Sequence, residues 1–192
     1  MNVSQEDARI SLSAAQSVMD QTHKALASAY ANPLLILWGI LWITAFTATH
    51  FYVHYAYHIF IAMGAVGGLG TTVIVGIFHS KAPVKDKSSQ KFGRRVTALW
   101  IFLCIYILIW LFLFAPFTGL QCNALICTAV MFAYIVMGLW FNNRFMIVLG
   151  LVVTAGTLVG FYLLREYYCI WMAFVGGGAI FGTGLYIRLR WR

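Results

Sequence analysis

Residues 34–78 read LLILWGILWITAFTATHFYVHYAYHIFIAMGAVGGLGTTVIVGIF, a run of 45 residues with no Asp, Glu, Lys or Arg. As one helix the run would reach about 67 Å, more than twice the roughly 30 Å of a bilayer's hydrocarbon core. It must therefore cross twice. The polar cluster between its ends is THFYVHYAYH, Thr49 to His58, so the chain is expected to turn around Phe51–Tyr55. Length alone places this turn, because the stretch has no Gly, Pro or Asn to mark it.

The same reading extends along the rest of the chain. Residues 97–114 form an apolar run bounded by Gly93-Arg94-Arg95 and Pro116. Residues 124–141 begin after Asn123, a residue type that caps helices, and end at Asn142-Asn143. Residues 145–164 and 168–187 follow, turning at Arg165-Glu166. With spans at 34–52 and 56–78, the expectation is an all-α, polytopic membrane protein of six transmembrane helices in three hairpins, covering residues 33–192. Upstream, residues 1–32 read as a separate cytoplasmic amphipathic helix. Ser4 and Asp7 resemble a capping box, and Leu12, Ala15, Met19, Leu26 and Ala29 form a narrow seam. Asn32-Pro33 is expected to end that helix, because the residue before proline disfavours helical geometry.

Composition agrees. Of the 192 residues 62% are hydrophobic and 9% charged, against about 25% charged in a soluble domain. The net charge of +8 would suggest nucleic acid until the charges are placed. Six spans put both termini on one side, together with all but Arg165 of the 13 Lys and Arg residues. That asymmetry is the signature of membrane topology, with the basic side cytoplasmic. It makes the chain a multi-pass protein of the plasma (inner) membrane and removes nucleic acid as a partner. The first thirty residues carry Glu6, Asp7, Asp20 and Lys24 and no apolar core, so no cleavable leader is expected there. MGAVGGLG and FVGGGAIFG, about 110 residues apart, align faintly, through duplication or through shared glycine packing.

Four groups of residues have chemistry to offer. His50, His54 and His58 recur every four residues, and a turn between them would bring His50 and His58 onto neighbouring helices. They are candidate metal or haem ligands, against a plain reading as part of a polar-aromatic belt with Phe51, Tyr52, Tyr55 and Tyr57. A third reading of the histidines is a pH sensor. Cys122 and Cys169 fall at the same end of their spans, where a disulfide would form if their Cα atoms lay within about 7 Å. Gly64/Gly68, Gly156/Gly160 and Gly178/Gly182 are GxxxG pairs, which let helix backbones approach closely. Lys81, Lys85, Lys87, Lys91, Arg94 and Arg95 crowd one loop and the start of the next span, suiting anionic lipid head groups.

What is missing narrows the function. No acid or base stands near the centre of any span, as ion-coupled transport usually needs. No HExxH, GxSxG or phosphate loop occurs, and no carboxylate is placed for general acid–base work. The leading expectation is a non-enzymatic membrane subunit or regulator, working through helix–helix contacts with copies of itself or with a membrane-protein partner. The competing expectations are an uncoupled channel or small-solute carrier, lined by Thr71, Thr72, Asn123 and Thr154, and a haem- or metal-binding redox protein built on the histidines. No particular cofactor is implied.

Overall fold

The computed structural model describes the backbone of residues 5–81 and 87–190, and the side chains of residues 9–11, 13, 14, 32–77 and 93–189. The readings of the residue 12–29 seam and of the Lys81, Lys85, Lys87 and Lys91 side chains lie outside the described residues.

The described chain is helical, with no strand. Its helices are α1 (Gln5–Phe51), α2 (Ala56–Lys81), α3 (Lys87–Leu113), α4 (Gly119–Trp140), α5 (Arg144–Leu163), α6 (Tyr168–Met172) and α7 (Ala179–Arg190), the last two joined by a π-helical turn, Ala173–Gly178. Six stretches are long and apolar enough to cross a membrane: Asn32–Phe51, Val53–Ile77, Gly93–Leu113, Gly119–Trp140, Arg144–Leu163 and Tyr168–Leu189. These make a multi-pass membrane protein, and their limits lie within a few residues of those read from hydropathy.

The first turn falls where length required it. α1 stops at Phe51 and a 3-10 turn covers Val53–Tyr55. Hydrogen bonds from Tyr52 N to Ala48 O (2.8 Å) and from Tyr55 N to Tyr52 O (2.9 Å) close it without a glycine. Two expected boundaries move. α1 runs straight through Pro33, so the segment before Asn32 continues the first span's helix instead of forming a separate one. Proline costs a helix one hydrogen bond and a local clash, which distorts it without requiring a stop. α4 begins at Gly119 and not after Asn123, because Thr118 and Gln121 form a capping box ahead of it. Asn143 does cap α5, accepting from the backbone of Phe145 and Met146.

One packed pair of spans, the first with the last, is not adjacent in sequence. α4 lies most extensively against α5, and α1 against α7 and the π turn, with α2 on α1's other flank. α5 touches the last span, and α3 leans on α4. The spans thus follow the order second, first, sixth, fifth, fourth, third, and the outer pair have the least packing. None of the α3 span is buried and only 6% of the α2 span, against 39% for the fifth and sixth. The core is a continuous cluster around Phe46, Met131, Val153, Met172 and Ile180, all 1% exposed or less.

Candidate functional site

The histidines stand at the end of the bundle opposite the termini. His50 closes α1, His54 sits in the 3-10 turn and His58 opens α2. The His50 ring lies edge-on to Phe51 at 5.3 Å, and His58 edge-on to Tyr57 at 5.6 Å and tilted against Tyr55 at 6.5 Å. Phe51, Tyr52, Tyr55 and Tyr57 are exposed around them. This is the arrangement of an aromatic belt at head-group depth. Among the described residues no three His, Cys, Asp or Glu side chains gather as a metal site, so the geometry lends no support to His50, His54 and His58 as a ligand set.

At the same end, between α4 and α6, lies a polar cluster not foreseen from the sequence. The Asn123 carboxamide oxygen accepts from the Tyr168 hydroxyl at 3.2 Å and from the Cys127 thiol at 3.3 Å. Tyr168 is 2% exposed and its ring meets Phe46 of α1 at 6.4 Å. Cys122 and Cys169 stand near the starts of the same two helices, α4 and α6. All four cysteines are free, so Cys122 and Cys169 are not joined. The link between α4 and α6 here is the Asn123–Tyr168 hydrogen bond, made by residues 45 positions apart. Asn123, freed from capping by Thr118, became its acceptor. Replacing Asn123 with Leu leaves a buried tyrosine hydroxyl without its acceptor, at a cost of about 1–3 kcal/mol. The variant Asn123→Leu/Tyr168→Phe, lacking both partners, should recover most of that loss in thermal unfolding in detergent.

The polar residues offered for a solute path are occupied elsewhere. Thr71 accepts from the Trp38 indole at 3.1 Å, and Thr72 and Thr154 donate to the backbone of Gly68 and Gly150. They stand on α2 and α5, with Asn123 on α4, and no described contact brings them together.

The glycines separate into two groups when each is asked what a Cβ would meet. Gly156 and Gly160 are filled by Val175 and Trp171, and the Trp171 indole donates to Gly156 O at 2.8 Å. That GxxxG pair is a packing seam, as its spacing implied. Gly178 and Gly182 are not. A Cβ at Gly178 would meet nothing nearer than Ala173 O at 3.9 Å, and one at Gly182 nothing within 4 Å. The close approach is made by their neighbours Gly177 and Gly184, which receive Ile43 and Ile36 of α1, while Gly39 of α1 receives the backbone of Phe181. The same shift occurs on α2. Gly67 and Gly70 face Trp38 and Leu37 of α1, whereas Gly64, Gly68 and Gly76 have nothing within 4 Å. With Thr72 they form a smooth exposed stripe repeating every four residues, bordered by Ile61 and Leu69.

The basic residues are at the opposite end. Arg94 and Arg95 are exposed on α3, one turn outside its apolar run. On the far side Arg165 folds back, donating to Phe161 O at 3.3 Å with its guanidinium 5.6 Å from the Phe161 ring centre. No protein-family model, curated protein or solved structure matches this chain.

Proposed function

We propose that the chain is a non-enzymatic subunit or regulator of the plasma (inner) membrane, with both termini cytoplasmic, that acts by docking α2 against α2 of a second copy. The observation that carries this reading is the open stripe Gly64, Gly68, Thr72, Gly76. An exposed glycine inside a helix costs about 1 kcal/mol relative to alanine, and lipid offers no return for leaving the notch empty. In this bundle glycines that face a helix are filled, by Trp38 at Gly67 and by Trp171 at Gly160. A smooth face without charge is complementary to itself, and two such faces related by a two-fold axis allow the close backbone approach of a GxxxG pair. The sorting of Lys and Arg supports the orientation. The amphipathic N-terminal region, continuous with the first span, would carry the state of the membrane pair to the cytoplasmic side.

The test is direct. Gly68→Leu fills the notch without touching the rest of the chain, because nothing lies within 4 Å of it. In vesicles at low protein density, wild type should cross-link as a dimer through cysteines placed at Ile61 or Leu69, beside the stripe, and Gly68→Leu should be monomeric with unchanged thermal stability. A wild-type protein that is monomeric at every density, or a dimer indifferent to Gly68→Leu and Gly64→Leu, would defeat the proposal. Cross-linking of the stripe to a different membrane protein would replace the second copy as occupant.

A further inference from the structure

α3 is the least supported helix of the bundle, and the space beside it has a defined shape. Two open grooves between α3 and α4 share Leu99 and Phe102 and so form one channel along the lipid-facing side. The first, of about 550 Å³, is bounded by Arg95, Ala98, Leu99 and Phe102 of α3 and by Trp140 at the end of α4. The second, of about 360 Å³, continues between Tyr106 and Trp110 on one side and Leu125, Ala129 and Phe132 on the other. Beyond Arg95 the walls are apolar and aromatic. The rise from Arg95 to Tyr106 is about 16 Å, half of the roughly 30 Å hydrocarbon core and so the depth of one leaflet.

The mouth of the channel is basic. Arg95 lines it and Arg94, its neighbour on α3, is exposed beside it. Glu166, the acid among the described side chains, lies at the other end of the bundle. A guanidinium presents a planar fork that matches a phosphate in two hydrogen bonds, while the neighbouring positive charges repel an ammonium head group. A second copy of this chain fits the mouth poorly, since it would bring its own cluster of cations against this one.

We propose that the α3–α4 channel is a binding site for a phospholipid of net negative charge, with an acyl chain between the two helices and its phosphate on Arg95. The lipid then supplies the packing that α3 does not receive from protein. This site lies apart from the α2 stripe and does not depend on it.

Native mass spectrometry of the full chain, with phosphatidylglycerol or phosphatidylcholine added to the detergent solution, tests this. Wild type should retain phosphatidylglycerol in preference to phosphatidylcholine. Arg95→Gln should lower that retention about fivefold, the effect of one basic side chain at a membrane surface, and Arg94→Gln, outside the channel wall, distinctly less. Ala98→Trp, which blocks the channel, should lower retention of both lipids. Should that variant misfold, the comparison of the two arginine variants still decides. Equal retention of the two lipids by wild type overturns the proposal. So do equal effects of Arg94→Gln and Arg95→Gln, which would indicate diffuse attraction to the basic end.

Discussion

Gly39→Ala should lower stability by about 3 kcal/mol, the upper end of what overpacking usually costs. For a chain of this size that corresponds to a fall in Tm of about 10 °C. The added Cβ would stand 2.5 Å from the backbone nitrogen of Phe181 and 2.6 Å from its Cα. A side-chain neighbour can rotate away, but a helix backbone cannot. Relief requires α1 and α7 to separate, and separation also empties the contacts of Gly177 with Ile43 and of Gly184 with Ile36. Thermal unfolding followed by the surviving monodisperse fraction measures the effect. Gly182→Ala is the control: with nothing within 4 Å of the new methyl, the gain in helix propensity leaves stability unchanged or raised by up to about 1 kcal/mol. Equal losses from the two substitutions would mean that the α1–α7 seam is not the close contact described here.

The second large effect is expected at Phe46. Its ring is 1% exposed and meets Trp42 at 5.6 Å, Phe60 at 5.4 Å and Tyr168 at 6.4 Å, so one side chain joins α1, α2 and α6. Phe→Ala in a core costs 3–5 kcal/mol through lost transfer energy together with the cavity left behind. Between helices in lipid the transfer part falls away, because the surrounding hydrocarbon is as apolar as the core. The dispersion contacts are still lost, which places Phe46→Ala at about 3 kcal/mol, the low end of that range. The loss should be uneven. α2 has its substantial packing on α1, so its amides should exchange faster with deuterium while those of α5 stay protected. Uniform exchange across the bundle would contradict a local role for this ring. Phe46→Leu, which keeps most of the volume, should cost under about 1.5 kcal/mol.

These two residues show what could be read from the sequence and what could not. Span number and the turn around residues 51–55 follow from one-dimensional quantities, apolar length against bilayer thickness, and they were legible. The α4 start was misplaced because Asn123 and Thr118 both make sound caps, and only the backbone shows that Thr118 takes the role. The glycine pairs were visible in the sequence, but at α2 and α7 the close approaches within the chain are made by the neighbouring glycines, Gly67 and Gly70 and Gly177 and Gly184. A GxxxG spacing reports that two small residues are stacked, not which side the neighbour occupies. In MGAVGGLG and FVGGGAIFG, glycines point in several directions at once. Asn123 and Cys127 stand one turn apart on α4, but Tyr168 joins them only after the fourth and sixth spans pack, and no local signal announces that. The histidine spacing was conspicuous, yet a turn interrupts the helix that would have given four-residue spacing its meaning.

The pairing of the first span with the last also bears on how the protein is made. Gly39 leaves the ribosome 142 residues before Phe181, the residue whose backbone fills it. At synthesis rates of about 5–20 residues per second, α1 waits roughly 7–30 s for its principal partner. During that interval its glycine and tryptophan face is open to lipid or to any passing helix, with only α2 beside it. A chain cut short before α7 can never close the bundle. The order of the spans therefore makes completion of the last helix the step that distinguishes a finished molecule from an abandoned one, and gives membrane quality control an exposed α1 face to recognise.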